Sequence, residues 1–123
     1  MTATQPSPPE DFIARRAELL TGFGKLRRSA GGAMSGFGAM HRGAMEEGTL
    51  STATKELIAL AIGICSNCDG CIAFHVHDAL KAGASRTQIE ETIGVAILMG
   101  GGPAAVYGAD AMVALDQFEA ELD

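Results

Sequence analysis

Apolar side chains recur at Phe12, Ile13, Ala17, Leu20, Phe23 and Leu26, the three-and-four spacing of one helix face, and predict a helix from Pro9 to about Arg28. A glycine-rich segment, GGAMSGFGAMHRGAMEEG, follows, with Met34, Phe37, Met40, Ala44 and Met45 on one side. Its glycines cost helix stability, so a second helix there depends on packing, and Gly48 ends it. Ser51 or Thr52 caps a third, and KELIALAIGIC runs almost wholly apolar to Cys65. In SNCD the S-x-x-[DE] pattern predicts a turn capped by Ser66, with Asp69 reaching back and Cys68 and Cys71 at the start of a fourth helix that ends near Gly83. Ser85 and Gln88 form a second such pattern, opening a fifth helix to about Met99. GGGP then breaks the chain, and Ala104 to about Glu121 forms a sixth.

No stretch alternates polar and apolar with the period of a strand, so the expected class is all-α with about six helices. Residues 1–9 hold three prolines and read as a flexible arm, leaving 10–123 as a single domain. The apolar run from Ile93 to Val113 is interrupted by Gly100–Pro103 and carries Asp110, whereas a bilayer span needs about 20 uninterrupted apolar residues. No membrane partner is expected. Two consecutive small-residue, apolar helices in so short a chain imply burial on several sides, completed by subunit contacts.

Composition and charge narrow the function. The 123 residues are 47% hydrophobic and 20% charged, in the globular range. The net charge of −6 is uneven: residues 51–123 carry three Lys/Arg against ten Asp/Glu. That acidic half argues against nucleic acid as partner. Lys25, Arg27 and Arg28 form a small basic cluster that reads as a solvated helix face. The opening MTATQPSPPEDF lacks the basic start and apolar core of a signal peptide, and three cysteines within seven residues do not make a secreted disulfide scaffold. A reducing, cytoplasmic location is expected, where closely spaced cysteines serve catalysis or metal binding.

The chemistry concentrates in CSNCDGCIAFH. At about 100° per residue, Cys68, Cys71 and His75 fall within one 60° stripe, with His77 opposite. A helix N-terminus lowers a thiol pKa, a second thiol three residues on can resolve an oxidised first, and His75 can move the proton. If the third and fourth helices fold back at Ser66, Glu56 and His75 lie at similar heights, roughly 14–15 Å from the bend, and can face each other. Glu56 has an alternative reading as an exposed charge near the start of its helix, and Asp78 is either an orienter of His75 or a solvated charge. Cys65 reads as a buried, inert thiol, and His77 and His41 as surface or interface residues.

Metal readings are weaker. CxxCxxCxxxH resembles part of a ferredoxin-type loop, but such loops wrap a cluster with irregular backbone, and these residues sit among helix formers. One helical stripe cannot surround a zinc ion, and covalent haem needs His directly after the second Cys, where Ile72 stands.

Glu56-x11-Cys68-x2-Cys71-x3-His75, within KELIALAIGICSNCDGCIAFHVHDALKAGAS, resembles the signature of the alkylhydroperoxidase D branch of the carboxymuconolactone decarboxylase family. The similarity runs from about Phe37 to IEETIGVAILMGGGPAAVYGADAMVAL. It implies an all-helical fold assembled as a homo-oligomer, a trimer or hexamer. The implied activity is that of a peroxidase or disulfide reductase that needs no metal or other cofactor. Residue by residue, Cys71 matches the peroxide-attacking cysteine, Cys68 the resolving one, and Glu56 and His75 the proton relay. The implied partners are a peroxide substrate and a dithiol reductant, lipoyl groups serving in some relatives. A non-enzymatic redox sensor using the same cysteines, or a decarboxylase-type enzyme using Glu56 and His75 alone, are the alternatives. Gly70 stands where the best-known alkylhydroperoxidase D members carry a His.

Overall fold

The computed structural model describes residues 11–123, so the arm expected over residues 1–9 lies outside the described residues. Six helices follow one another: α1 (Phe12–Ser29), α2 (Gly31–Met45), α3 (Thr52–Cys65), α4 (Asp69–Lys81), α5 (Arg86–Gly100) and α6 (Gly102–Leu122). There is no strand among the described residues. The all-α reading and the helix count hold.

The core forms where α3, α4, α5 and α6 meet. α3 packs on α4 and α5, and α6 covers α4 and α5 from the other side. Leu60 and Ile64 of α3, Ile72 and Val76 of α4, Ile89 of α5 and Leu115 of α6 are completely buried. Small residues let the helices approach closely. A Cβ added to Gly108 would come 2.9 Å from Ile93 Cγ2, so α5 and α6 depend on that glycine for their spacing. Ser85 and Gln88 form the expected reciprocal capping box of α5. Arg86 then ties the start of α5 to α6 by donating to Asp116 at 2.8 Å and Glu119 at 3.2 Å.

α1 lies across α4 and α6. Its first residue, Phe12, is fully buried, and the Phe12 N–H donates to Gln117 Oε1 at 2.9 Å. The rest of its apolar stripe is less enclosed: Phe23 stacks on Phe74 at a centroid distance of 5.6 Å, while Ile13, Leu20 and Leu26 are exposed. α2 forms despite five glycines but buries none of its residues within the chain.

Two boundaries differ from the sequence reading. Ser66 does not cap α4; it closes α3. Asn67 takes the left-handed conformation at φ 56°, the Asn67 N–H donates to Ile64 O, and the Cys68 N–H donates to Gly63 O. This is the hydrogen-bond pair of a Schellman ending, with Asn in the place usually held by Gly. The cap of α4 therefore falls two residues later than the S-x-x-[DE] pattern implied, at Cys68. Asp69 does not reach back to Ser66; its Oδ1 accepts from the neighbouring Gly70 N–H and its Oδ2 from Arg15. At the far end, α6 starts at Gly102 rather than Ala104. Gly101, at φ 71°, makes the break, and Pro103 sits in the first turn, where its missing N–H is not needed.

No helix among the described residues is long and apolar enough to cross a membrane.

Candidate active site

Cys68 is held on both sides. Its N–H completes the ending of α3, and its Sγ accepts the Cys71 N–H at 3.1 Å, as a Ser or Asp would at an N-cap. Its extended backbone (φ −112°, ψ 97°) takes it out of the helix proper, so the pair is not locked at the spacing of two mid-helix positions. The Cα atoms of Cys68 and Cys71 are 5.2 Å apart and the sulfurs are joined as a disulfide. This separation lies within the 4.4–6.8 Å that a disulfide accepts.

Cys71 is placed from below by α3. An added Cβ at Gly63 would stand 2.8 Å from Cys71 Cβ and within 4 Å of its backbone. Only a glycine lets α3 pass that close beneath the reactive turn. Gly63→Ala is therefore expected to lower stability by about 1–3 kcal/mol, the usual range for overpacking, because the atom in the way is Cys71 Cβ, which is fixed to its backbone and cannot swing aside as a flexible side-chain end could. Urea unfolding at fixed protein concentration measures this; an unchanged midpoint would mean that the two helices separate without cost. Above the pair, α1 closes in. Leu19 Cδ1 would lie 2.9 Å from a Cβ at Gly70, and Arg15 Nε donates to Asp69 Oδ2 at 3.2 Å.

One turn beyond Cys71, His75 Nδ1 lies 3.0 Å from Glu56 Oε2. Glu56, in the second turn of α3, is only 2% exposed. Burying a carboxylate in that position is costly unless it is hydrogen-bonded, and His75 supplies the bond. A carboxylate can only accept, so in the pairing of an ionised Glu56 with a neutral His75 it is Nδ1 that carries the proton and Nε2 that is the base. The facing-hairpin reading of Glu56 is the one the geometry bears out. Asp78 completes a cluster in which one ligand atom each from Glu56, His75 and Asp78 lie within 4.8 Å of one another, the only donor set among the described residues that could hold a metal ion. Asp78 Oδ1 is also bonded to His77 Nδ1 at 2.8 Å.

Two expectations change here. His77 is buried rather than at the surface, 8% exposed, with its ring edge-on to Phe118 at 5.4 Å. Its position opposite the reactive stripe turns it into the core, where Asp78 satisfies it. Cys65 is exposed rather than buried. It sits on the side of α3 turned toward α5, where its thiol bonds Ala96 O at 3.3 Å beside Ile62, Val95 and Met99.

Cys68, Cys71 and His75 all line one cleft of about 910 Å³ between α1, α2 and the start of α4. Its size falls within the range of small-molecule sites. Gly63, Leu19 and Arg16 were missed in the sequence. A glycine inside an otherwise strong apolar helix pattern was a readable signal for the first, since it costs about 1 kcal/mol there without a packing reason. The other two carry no local signal.

Helices stacked around a cysteine pair at a helix start, with a buried carboxylate–imidazole pair one turn on, define an all-helical protein of the vicinal-dithiol kind. The model of the carboxymuconolactone decarboxylase family matches residues 32–114, and the chain belongs to that family. It is 38% identical over 110 residues to an uncharacterised protein of Cupriavidus necator, covering 89% of this chain and 97% of that one. An uncharacterised protein of the cox locus of Paracoccus denitrificans is 33% identical over 96 residues, 78% of this chain and 86% of its own length. Among solved structures, the fold is similar to the crystal structure of apo-lpg0406, a carboxymuconolactone decarboxylase family protein from Legionella pneumophila. The TM-score is 0.84 at 37% identity, covering 87% of this chain and 96% of that one.

Proposed function

We propose that this protein is a thiol-dependent hydroperoxidase. The observation that carries this reading is the Cys68–Cys71 pair at the N-terminus of α4, open to the cleft and one turn from the Glu56–His75 pair. The Cys71 thiolate attacks one peroxide oxygen, the O–O bond breaks, and the leaving oxygen takes a proton delivered through His75 to depart as an alcohol. Cys71 is left as a sulfenic acid. Cys68 sulfur then attacks Cys71 sulfur, water leaves, and the disulfide forms. An external dithiol reduces it by exchange and is itself oxidised to a disulfide. The net reaction consumes one peroxide and one dithiol and yields one alcohol, one water and one disulfide. The helix N-terminus favours the thiolate through its unpaired N–H groups.

A peroxide-consumption assay with a panel of dithiol donors, lipoamide-type dithiols included, tests the reading. Repeated turnover with at least one donor is expected. A single stoichiometric oxidation would instead fit a redox sensor. The family's decarboxylase-type chemistry is a second reading, because Glu56 and His75 form a complete acid–base pair without the cysteines; an activity that survives loss of both Cys68 and Cys71 would favour it.

The same proposal includes a homo-oligomer. Ile62 of α3, Val95, Leu98 and Met99 of α5 and Val106 of α6 are each more than half exposed, and Ile62, Val95 and Met99 line one shallow recess. A cluster of that kind usually marks an interface. Light scattering at micromolar concentration is expected to give a multiple of 12.7 kDa; a single-chain mass would contradict it.

A further inference from the structure

The cleft over the cysteines carries more positive charge than the peroxide step requires. Arg16, Arg27 and Arg42 line it, and among the described residues none of the three has an ion-pair partner, whereas Arg15, also in the lining, is bonded to Asp69. Arg16 stands apart. Its Nε is buried and has no hydrogen-bond partner, and its guanidinium carbon sits 5.8 Å from the centroid of the Phe74 ring. The terminal nitrogens of the same guanidinium are not buried and have no hydrogen bond to the described residues, so at the cleft they offer a charged donor pair that the chain leaves open to an acceptor from outside. Phe74 is three residues past Cys71 on the same helix, and Arg16, Phe74 and Cys71 line the same cleft. Leu19, Leu20, Phe23 and Phe74 give the same cleft an apolar part.

We propose that this cleft binds an amphipathic carboxylate: the acid group pairs with the Arg16 guanidinium and the hydrocarbon body lies on Phe23, Phe74 and Leu19. Resting on the hydroperoxidase reading, this makes the substrate an organic hydroperoxide that carries its own carboxylate, with the peroxide group reaching Cys71. Arginine suits the role because its planar fork matches a carboxylate with two parallel hydrogen bonds, and its face can remain on the Phe74 ring while its edge bonds the ligand. Of the acidic groups at the cleft, the Asp69 carboxylate is paired with Arg15 and the Asp78 carboxylate is hydrogen-bonded to His77 rather than to Arg16.

The test separates binding from turnover. Octanoate and octanol, equal in chain length and differing in charge, are titrated calorimetrically into the full chain, the Arg16→Gln and Arg16→Lys variants, and Arg28→Gln as a control on α1 outside the cleft lining. Octanoate is expected to bind the parent protein tighter than octanol by on the order of tenfold to a hundredfold, the size of a charge-assisted hydrogen bond. That preference should vanish in Arg16→Gln, survive in part in Arg16→Lys, and be unchanged in Arg28→Gln. Equal binding of the two probes, no binding of either, or a preference that persists in Arg16→Gln overturns the proposal. In parallel, the rates with a carboxylate-bearing hydroperoxide, its methyl ester and hydrogen peroxide are compared in the parent protein. A carboxylate preference in binding without consumption of any of the three would sink the hydroperoxidase reading and leave the anion site standing. Consumption of hydrogen peroxide with no carboxylate preference would do the reverse.

Discussion

Cys71→Ser is expected to abolish peroxide consumption, with residual turnover below detection. The attacking species must be an anion, and a serine hydroxyl at its ordinary pKa supplies almost none at neutral pH. The substitution should leave the fold intact, because the Cys71 N–H, not its sulfur, makes the capping bond to Cys68. Cys68→Ser behaves differently. A serine there still accepts the Cys71 N–H as an N-cap, so α4 should start normally and the first oxidation should still occur, but Cys71 then stops at sulfenic acid for want of a resolving thiol. Trapping with a sulfenic-acid reagent, and peptide mapping of the oxidised parent protein, read the two cases apart. The parent should show a Cys68–Cys71 bond, with Cys65 recovered as a free thiol when the oxidised chain is unfolded and alkylated. Full turnover in Cys71→Ser, or a Cys65–Cys68 bond in the parent, would overturn the assignment of roles.

Glu56→Gln and His75→Asn are each expected to slow the oxidation step by about 10²–10⁴-fold, the usual worth of general acid–base assistance. The reason is local. Glu56 is buried and accepts from His75 Nδ1, which keeps Nε2 free to exchange a proton at the cleft. A glutamine can present either its oxygen or its NH₂ to the ring, so it no longer selects that tautomer. An asparagine at 75 removes the base. Since the two residues act as one unit, the double variant should be scarcely slower than the more damaged single one. Stopped-flow oxidation of the reduced protein measures all three. Effects that multiply in the double variant, or single variants that keep the parent rate, would mean that the pair is structural only.

Much of this protein was legible in its sequence. Helical periodicity, the Ser85–Gln88 capping box and the absence of alternating stretches pointed to the all-α fold and the six helices of the described residues, because these are properties of residues three and four apart. The spacing Glu56-x11-Cys68-x2-Cys71-x3-His75 brought out the family and the four residues that the fold gathers. What the sequence pattern misjudged is instructive at the turn between α3 and α4. The S-x-x-[DE] pattern at Ser66 and the Schellman ending through Asn67 compete for the same residues, and the second satisfies two carbonyls of α3, at Gly63 and Ile64, while handing the cap to Cys68. Local pattern alone could not rank them, since the outcome depends on how closely α3 passes under α4 at Gly63.

The sides that His77 and Cys65 face were likewise decided by tertiary packing. His77 turns into the core because α6 brings Phe118 against it, and Cys65 stays exposed because α5 meets that side of α3 at Ala96 without covering it. Arg16 gives no sign of importance along the chain, where it is one of two adjacent arginines on an amphipathic helix. Only the crossing of α1 over α4 buries its Nε beside Phe74 and above the reactive turn. The sequence by itself determined the helices and the reacting groups, which depend on near neighbours. The tertiary structure decided which helix faces meet, and so which groups are capped, buried or left seeking a partner, because those depend on residues far apart in the chain.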